Sequence, residues 1–171
     1  MPSQDAIDLM PAEQYEAARA RRESPHPQLW AALDGVKDPE IPVLSIWELG
    51  ILRGVTVEGD TVVVTITPTY SGCPAMDAVA QDIVTAVQAA GYANCRIVTR
   101  WAPAWSTSWM SADGREKLRR YGIAPPGETR LCCPHCQSTE VELVSEFGST
   151  ACKALYQCRA CSEPFDFFKN I

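Results

Sequence analysis

The chain has 171 residues, of which 46% are apolar and 21% charged, and its formal net charge is −6. These proportions are ordinary for a globular protein and predict one domain with at most a small appendage. Attraction to phosphate and to anionic lipid comes from Lys and Arg, so the acidic balance argues against non-specific binding of nucleic acid or of a membrane surface. No apolar run reaches the ~18 residues that a membrane-spanning helix needs.

The N-terminus bears on the compartment and therefore on the chemistry of the cysteines. It begins Met-Pro-Ser-Gln-Asp and lacks the basic stretch and apolar run of a secretory signal. We therefore expect a cytoplasmic protein. Thiols stay reduced in that compartment, so the eight cysteines are expected to be metal ligands or reactive thiols rather than disulfides.

Residues 1–27 are polar and rich in Ala and Arg, and we interpret them as a leader that is poorly ordered or holds one short helix. A helix over 11–22 is compatible with the composition, and two prolines follow it. From Gln28 onward, apolar residues recur at helical spacing as far as Gly35, which predicts a short amphipathic helix.

Residues 28–124 predict a small mixed-sheet α/β (α+β) domain. The stretch 61–67 alternates apolar and polar residues with a period of two, which is typical of a half-buried strand. Gly91 and Gly122 stand where a left-handed residue commonly ends a helix. The predicted elements are, in chain order, a stiff loop with two prolines (38–42), strands 51–57 and 61–67, a helix 75–90, a strand 95–101 and a helix 112–121.

The sequence Pro-Pro-Gly begins a predicted linker, 125–130, and the composition changes beyond it. Six of the eight cysteines lie in the tail that follows, 131–171. A tail of about forty residues is too short to bury a sufficient core alone and commonly needs a metal or disulfides. We expect a chain ending near Gly127 to fold without it.

Two C-x-x-C motifs in the tail, Cys133/Cys136 and Cys158/Cys161, are separated by 21 residues whose pattern predicts strand, turn and strand. Four thiolates in a tetrahedron suit Zn²⁺, and a full ligand set with no open position indicates a structural role. The pattern therefore predicts a C-terminal four-Cys zinc ribbon. A rubredoxin-like iron site with the same ligands, or buried cysteines without a metal, are the alternatives.

Other residues of the tail have less definite roles. Cys132 is adjacent to a predicted ligand and would replace it if the register slipped. Cys152 is either a packing residue or a reactive thiol near the metal, and His135 is expected to be exposed rather than bound. The tail holds three basic residues against five acidic ones, so nucleic-acid recognition, which needs a basic surface, is not expected.

Cys73 is the candidate reactive thiol of the main body. Pro74 follows it, and proline favours the first position of a helix. The spacing therefore predicts Cys73 at the N-cap of the helix 75–90, where the helix dipole would lower the pKa of the thiol.

The surroundings of this thiol decide between two interpretations. Thr67 and Thr69 offer hydroxyls close by, and Asp38 and Glu40 lie on a stiff loop that could face the sulfur. From the residues alone, a cysteine kept for packing is favoured over a functional thiol. A thiol enzyme would need a His base, and both histidines lie outside the main body, whereas a thiolate that transiently holds iron needs no base.

Two long motifs carry a resemblance to a known family. Residues 38–50, Asp-Pro-Glu-Ile-Pro-Val-Leu-Ser-Ile-Trp-Glu-Leu-Gly, with residues 67–74, Thr-Pro-Thr-Tyr-Ser-Gly-Cys-Pro, resemble the small domain of SufT-like iron–sulfur assembly factors. Together with the two cysteine motifs of the tail, roughly residues 28–171 resemble the PaaD family (also called PaaJ). These are accessory proteins of the bacterial phenylacetyl-CoA epoxidase system.

The resemblance implies an accessory role in aerobic phenylacetate catabolism, without independent catalysis, beside a di-iron oxygenase and an iron–sulfur reductase. It implies maturation of an iron–sulfur or di-iron centre, with Cys73 as the reactive or cluster-contacting thiol, structural zinc in the tail and a transient iron–sulfur cluster. One thiol cannot hold a cluster, so this role would need a homodimer, another cysteine such as Cys152, or ligands from the client protein.

The alternative is a structural docking component of the same system, without metal-transfer chemistry. Trp101, Trp105 and Trp109 are spaced by four residues, but Pro103 excludes one regular helix through them. We expect these rings to wrap the edge of the core or to form a partner-binding surface, and the second arrangement would suit a docking component.

Overall fold

The computed structural model describes residues 10–171, which form two small β-sheets surrounded by helices and confirm the mixed α+β architecture. No helix in this part of the chain is long and apolar enough to cross a membrane. In chain order the elements are α1 (Ala12–Arg22), α2 (Pro27–Leu33), β1 (Leu52–Glu58), β2 (Thr61–Ile66), α3 (Met76–Ala89), β3 (Asn94–Thr99), a 3₁₀ turn (Thr107–Trp109), α4 (Ala112–Tyr121), β4 (Ile123–Ala124), β5 (Val141–Ser145), β6 (Lys153–Cys158) and β7 (Pro164–Phe168).

The first sheet has the strand order β1-β2-β3. β1 and β2 form an antiparallel hairpin, closed by Gly59, whose φ of 64° is a left-handed conformation that glycine adopts without steric cost. β2 then pairs in parallel with β3, because α3 makes the crossover between them. Val62, Val64 and Ile66 are buried as the alternation predicts, and Val63 is buried too, so both faces of β2 are covered.

The core of the main body forms between this sheet and α3. Val79, Ile83 and Val87 recur every fourth residue, so they share one face of α3, and all three are fully buried. Gly91 follows the helix with a φ of 94°, as its position in the sequence predicts. Ser111 is the N-cap residue of α4, and its Oγ accepts a hydrogen bond from the Gly114 N–H.

The short helix expected in the leader is α1, and it is attached to the sheet. Ala17 is buried against the main body. The Arg53 guanidinium on β1 donates hydrogen bonds to the Glu13 carbonyl at 2.5 Å and to Gln14 Oε1 at 3.1 Å. Residues 1–9 of the predicted leader lie outside the described residues.

The second sheet contains the predicted strands of the tail. β5, β6 and β7 pair antiparallel, in the order β4-β7-β6-β5. β4, which directly follows α4 of the main body, pairs in parallel with β7, with Ile123 opposite Asp166. The sheet of the ribbon therefore begins before the predicted linker.

Side chains of the ribbon also complete the core of the main body. Phe168 is fully buried, and the centre of its ring lies 6.0 Å from that of Trp105. Cys152 belongs to the same buried cluster, and the Ile171 carbonyl accepts a hydrogen bond from the Thr107 N–H at 3.1 Å. A chain ending near Gly127 would lose these contacts, so we no longer expect it to fold alone. The segment boundaries predicted from the sequence, 1–27, 28–124, 125–130 and 131–171, stay a prediction.

The three tryptophans divide between core and surface. Trp105 and Trp109 are buried, whereas Trp101 is 55% exposed. The Trp105 indole N–H donates a hydrogen bond to the Leu49 carbonyl at 3.0 Å, and the Arg53 guanidinium lies 4.2 Å from the centre of the Trp109 ring. Trp105 and Trp109 therefore wrap the core and are not available as a partner-binding surface.

Replacing Phe168 with alanine should lower the free energy of unfolding by about 3–5 kcal/mol, because it opens a cavity where ribbon and main body meet. Chemical denaturation followed by tryptophan fluorescence would measure this loss. The matched control is Phe147→Ala, which removes an exposed ring of the same ribbon and should cost about 0.5 kcal/mol or less. Equal costs for the two variants would contradict a shared core.

Candidate metal centre and thiol site

The four cysteines of the two C-x-x-C motifs converge on one point. Cys133 and Cys136 lie in the turn before β5, Cys158 ends β6, and Cys161 lies in the turn before β7. Val141 of β5 pairs with Cys158 of β6, which brings the two motifs side by side. The four sulfur atoms all lie within 4.8 Å of one another.

The separations between the sulfur atoms match the requirements of zinc. Cys133 Sγ lies 3.8 Å from Cys161 Sγ, and Cys136 Sγ lies 3.6 Å from Cys158 Sγ. Four sulfurs placed ~2.3 Å from a zinc ion at the corners of a tetrahedron are roughly 3.8 Å apart. These residues could therefore hold a zinc ion, which would stabilise the ribbon by closing it at one end.

The backbone of the second motif prepares its first cysteine for a metal. The N–H groups of Cys161 and Ala160 hydrogen-bond to the sulfur of Cys158 and lower the pKa of its thiol to about 7. These bonds favour the thiolate, which is the form that binds a metal. Gln137 and Ser162 each directly follow the second cysteine of a C-x-x-C motif, and their φ values are 64° and 65°. The two turns therefore share a left-handed residue at the same position.

The neighbouring Cys132 and His135 do not join this group. The Cys132 thiol lies 3.6 Å from the Arg130 carbonyl and outside the four-sulfur cluster. His135 is exposed, and its ring lies beside Gly122, close to the main body. The structure therefore brings together the four cysteines that the sequence predicts, and Cys132 does not replace Cys133 among them.

Cys73 lies in the turn between β2 and α3. The helix begins at Met76 with Ala75 as its N-cap residue, so the prediction of Cys73 at the N-cap is wrong. The reason is an extra turn before the helix, in which the Met76 N–H reaches the Cys73 carbonyl at 3.4 Å.

The environment of the Cys73 thiol disfavours the thiolate. Burial raises the pKa of this thiol, and the charges of Asp38 and Glu40 raise it further. Hydrogen bonds from the Ala75 N–H and the Thr69 hydroxyl oppose this rise without reversing it. The expected lowering of this pKa by the helix dipole is therefore wrong, and the environment favours the protonated thiol.

The two carboxylates sit on the stiff loop over 38–42. Asp38 Oδ1 accepts hydrogen bonds from the N–H groups of Glu40 at 2.8 Å and Ile41 at 2.9 Å, which fixes the loop. Asp38 is only 6% exposed. Within residues 10–171, its Oδ2 accepts no hydrogen bond, and neither Asp38 nor Glu40 forms an ion pair.

Cys152 is a second buried thiol, contributed by the ribbon to the core of the main body. It directly precedes β6, is 6% exposed, and its sulfur lies 3.0 Å from the Thr150 hydroxyl. Burial raises the pKa of this thiol, and the charges of Glu40 and Asp38 raise it further. Of the two roles that the sequence left open, Cys152 packs in the core of the main body, away from the four-sulfur cluster.

The two threonines named from the sequence lie in different surroundings. Thr69 is buried, and its hydroxyl hydrogen-bonds to the Cys73 sulfur. Thr67 is also buried, but it lines a cavity of about 290 Å³ on the side of α1, together with Arg53 and Trp109. Thr69 therefore contributes to the thiol site, and Thr67 faces another part of the fold.

Replacing Cys158 with serine should remove the bound metal and unfold the ribbon, because a structural zinc site supplies on the order of 10 kcal/mol of folding free energy. Elemental analysis of purified protein should show about one zinc ion per chain in the unmodified protein and almost none in the variant. The control is Cys132→Ser, which should retain zinc. Equal zinc loss in Cys132→Ser would mean that the ligand register is different.

Replacing Glu40 with glutamine should lower the pKa of the Cys73 thiol, because it removes a negative charge that disfavours the thiolate. Alkylation by iodoacetamide requires the thiolate, so its pH profile at Cys73 should move to lower pH; mass spectrometry would follow the modified peptide. The control, Glu58→Gln, changes an exposed carboxylate of β1 and should leave the profile in place. An unchanged profile in Glu40→Gln would mean that the charge of Glu40 does not act on the Cys73 thiol.

Comparison with protein families assigns two segments of the chain. Residues 27–96 match the family described as iron-sulfur cluster assembly protein, and residues 124–169 match the PaaD zinc beta ribbon domain. The second match begins at Ala124, which agrees with β4 being part of the sheet of the ribbon. A crystal structure of a domain of unknown function, DUF59, from Bacillus anthracis is 28% identical, with a TM-score of 0.50, and covers 54% of this chain and 90% of its own.

Two curated proteins are similar in sequence. The Fe-S protein maturation auxiliary factor of Porphyromonas gingivalis W83 is 35% identical over 85 residues, which are 48% of this chain and 80% of that protein. A protein of Escherichia coli K12 named as a component of a 1,2-phenylacetyl-CoA epoxidase is 48% identical over 152 residues, which are 84% of this chain and 92% of that protein. At this identity and coverage, the chain belongs to the PaaD family, which joins an iron–sulfur assembly domain to a zinc ribbon.

Proposed function

We propose that this chain is a non-catalytic maturation factor for a metal centre, iron–sulfur or di-iron, of a phenylacetyl-CoA epoxidase system. Cys73 would contact the iron or the cluster that is passed to the client protein. The ribbon would hold a structural zinc ion and take no part in the transfer. The family supports the accessory role, and the name of the maturation factor from P. gingivalis supports the kind of chemistry.

The observation that carries the proposal is the pairing of a soft thiol with two unneutralised carboxylates. Asp38 and Glu40 act on Cys73 and form no ion pair within residues 10–171. A thiol that feels two carboxylate charges with no neutralising cation suits a transition-metal ion, because thiolate binds iron and carboxylate adds negative charge. A ligand set with few members also suits transfer, since a cargo must be released to the client.

The raised pKa of Cys73 argues against an independent thiol enzyme. A nucleophilic cysteine is normally activated by a neighbouring base or by a lowered pKa. Burial and two carboxylates act in the opposite direction here. A metal ion overcomes the same barrier by direct coordination, since it displaces the proton of the thiol. We therefore propose a protein that holds its cargo and turns over no substrate of its own.

A docking component without metal-transfer chemistry remains the second candidate, and one observation favours it. Leu143, Val144 and Phe147 are 47%, 54% and 68% exposed along and just beyond β5, which is the edge strand of the ribbon. Exposed apolar residues at a sheet edge can meet a partner protein. The oxygenase and the reductase are the proposed partners in either case, in the cytoplasm, with no nucleic acid or membrane involved.

Replacing Cys73 with serine should prevent maturation of the client while leaving the fold intact. In cells that carry the variant as their only copy, the iron and sulfide contents of the purified oxygenase and reductase should fall by at least ~10-fold in whichever is the client. The control is Cys95→Ser, which changes another half-buried thiol of the main body, on β3.

The outcome separates the two candidates. Full metal loading with Cys73→Ser would exclude the maturation mechanism through this thiol. A docking component would give a different pattern. Metal loading would be normal with Cys73→Ser and would fall with Leu143→Ser or Val144→Ser. These two variants would also lose complex formation in a pull-down of the purified components.

A further inference from the structure

Three polar side chains stand on neighbouring strands at one end of the first sheet. Ile66 of β2 pairs with Leu52 of β1 on one side and with Thr99 of β3 on the other. The residues that directly follow these three positions are Arg53, Thr67 and Arg100. All three line the cavity of about 290 Å³ between this sheet and α1. Because β2 and β3 are parallel, the cavity lies beyond the carboxyl ends of parallel strands, where ligands commonly bind.

The Arg53 guanidinium is fixed in place but keeps its charge unneutralised. It donates hydrogen bonds to the carbonyls of Glu13 at 2.5 Å and Gly50 at 3.4 Å. It also donates to Gln14 Oε1 at 3.1 Å and packs on the Trp109 ring. Every one of these acceptors is electrically neutral, and within residues 10–171 the guanidinium forms no ion pair. Arg53 is therefore a preorganised cation without a counter-ion.

Arg100 brings a second guanidinium to the same cavity. Its backbone N–H donates to the Ile66 carbonyl at 2.8 Å, which holds the base of the side chain at the end of the sheet. The side chain itself is exposed and forms no ion pair in the part of the chain that the structure describes. Burial and then the charge of Arg100 lower the pKa of Arg53 to about 10, so the two cations act on each other. An anion between them would relieve this repulsion.

The third polar group is a buried hydroxyl that is open to the cavity. Thr67 is only 3% exposed, and its hydroxyl has no hydrogen-bond partner within residues 10–171. Buried hydroxyls normally have a partner, so this one is available to a ligand. The lining also includes four apolar side chains, namely Ala17, Ala20, Pro103 and Trp109. A ligand would therefore meet both cationic and apolar walls.

Two carboxylates limit which anion can bind. Glu13 and Glu16 of α1 also line the cavity, and their charges raise the pKa of Arg53. They would repel a phosphate dianion more strongly than a molecule that carries one negative charge at one end. The volume lies at the lower end of the range for small-molecule sites, about 300–1,000 Å³. A small ligand with a single anionic group fits both limits.

We propose that this cavity is a binding site for a small organic monocarboxylate. Its carboxylate accepts hydrogen bonds from Arg53, Thr67 and Arg100, because the planar fork of a guanidinium matches the two oxygens of a carboxylate. Its apolar body lies against the Trp109 ring. No residue of the thiol site lines the cavity, so the inference goes beyond the proposed function and does not depend on it.

The test is calorimetric titration of full-length, zinc-loaded protein with benzoate and with butyrate. At least one of them should bind with a Kd below ~10 mM. Benzamide, the neutral analogue of benzoate, and inorganic phosphate should bind at least ~10-fold more weakly, because charge-assisted hydrogen bonds and a single charge are required.

Replacing Arg100 with glutamine should weaken carboxylate binding at least ~10-fold, because it removes one of the two guanidiniums. The matched control is Arg96→Gln, which changes another exposed arginine of β3. The Arg96 guanidinium pairs with Glu58 and does not line the cavity, so this variant should bind as the unmodified protein does. Zinc content and circular dichroism would report the folding of both variants.

A second readout locates the ligand. A carboxylate in this cavity contacts α1 and the sheet together, so its binding should slow amide hydrogen exchange over residues 12–22. Thr67→Val removes the hydroxyl and keeps the shape of the side chain, and it should weaken binding by about 2–10-fold.

Several results would overturn the proposal. One is the absence of binding by both carboxylates, and another is equal binding of benzoate and benzamide, since the charge would then not be recognised. Tighter binding of phosphate than of either carboxylate would also overturn it, as would unchanged affinity in a folded Arg100→Gln variant. Should that variant fail to fold, the comparison of benzoate with benzamide on the unmodified protein decides the question.

Discussion

A tail of about forty residues is too short to bury a sufficient core by itself. The rest of the architecture depends on the interactions that compensate for this small core. One end of the ribbon is closed by four cysteines whose sulfurs stand at zinc-binding distances. The other end is closed by the main body, which lends β4 to the sheet and takes Phe168 into its core. The shared core, together with a metal ion held by the four cysteines, would replace the interior of a larger domain.

That shared core also determines what the thiol site can be. Cys73 by itself is a half-buried cysteine with a raised pKa, which is a poor nucleophile. The ribbon adds a second buried thiol, Cys152, to the core of the main body, and its pKa is raised by burial and by the charges of Glu40 and Asp38. The protonation of both thiols therefore depends on charges carried by segments that are distant in sequence.

Local patterns predicted much of this structure. The alternation in β2, the helices α3 and α4 and the glycines that follow them depend on neighbours within one turn or one strand. The four ribbon cysteines follow from motif spacing. The surroundings of Cys73 could not be predicted, since the pKa of its thiol depends on burial and on a distant loop. The same holds for Cys152, because its place depends on how two units pack.

The ribbon is held at both of its chain ends: β4 pairs with β7 directly after α4, and the Ile171 carbonyl is bonded to Thr107. A segment fixed at both ends cannot swing away as a flap, and its only free extremity is the pair of turns around the sulfurs. In evolutionary terms, insertions and deletions in such a tail are tolerable only where they leave both attachments in register.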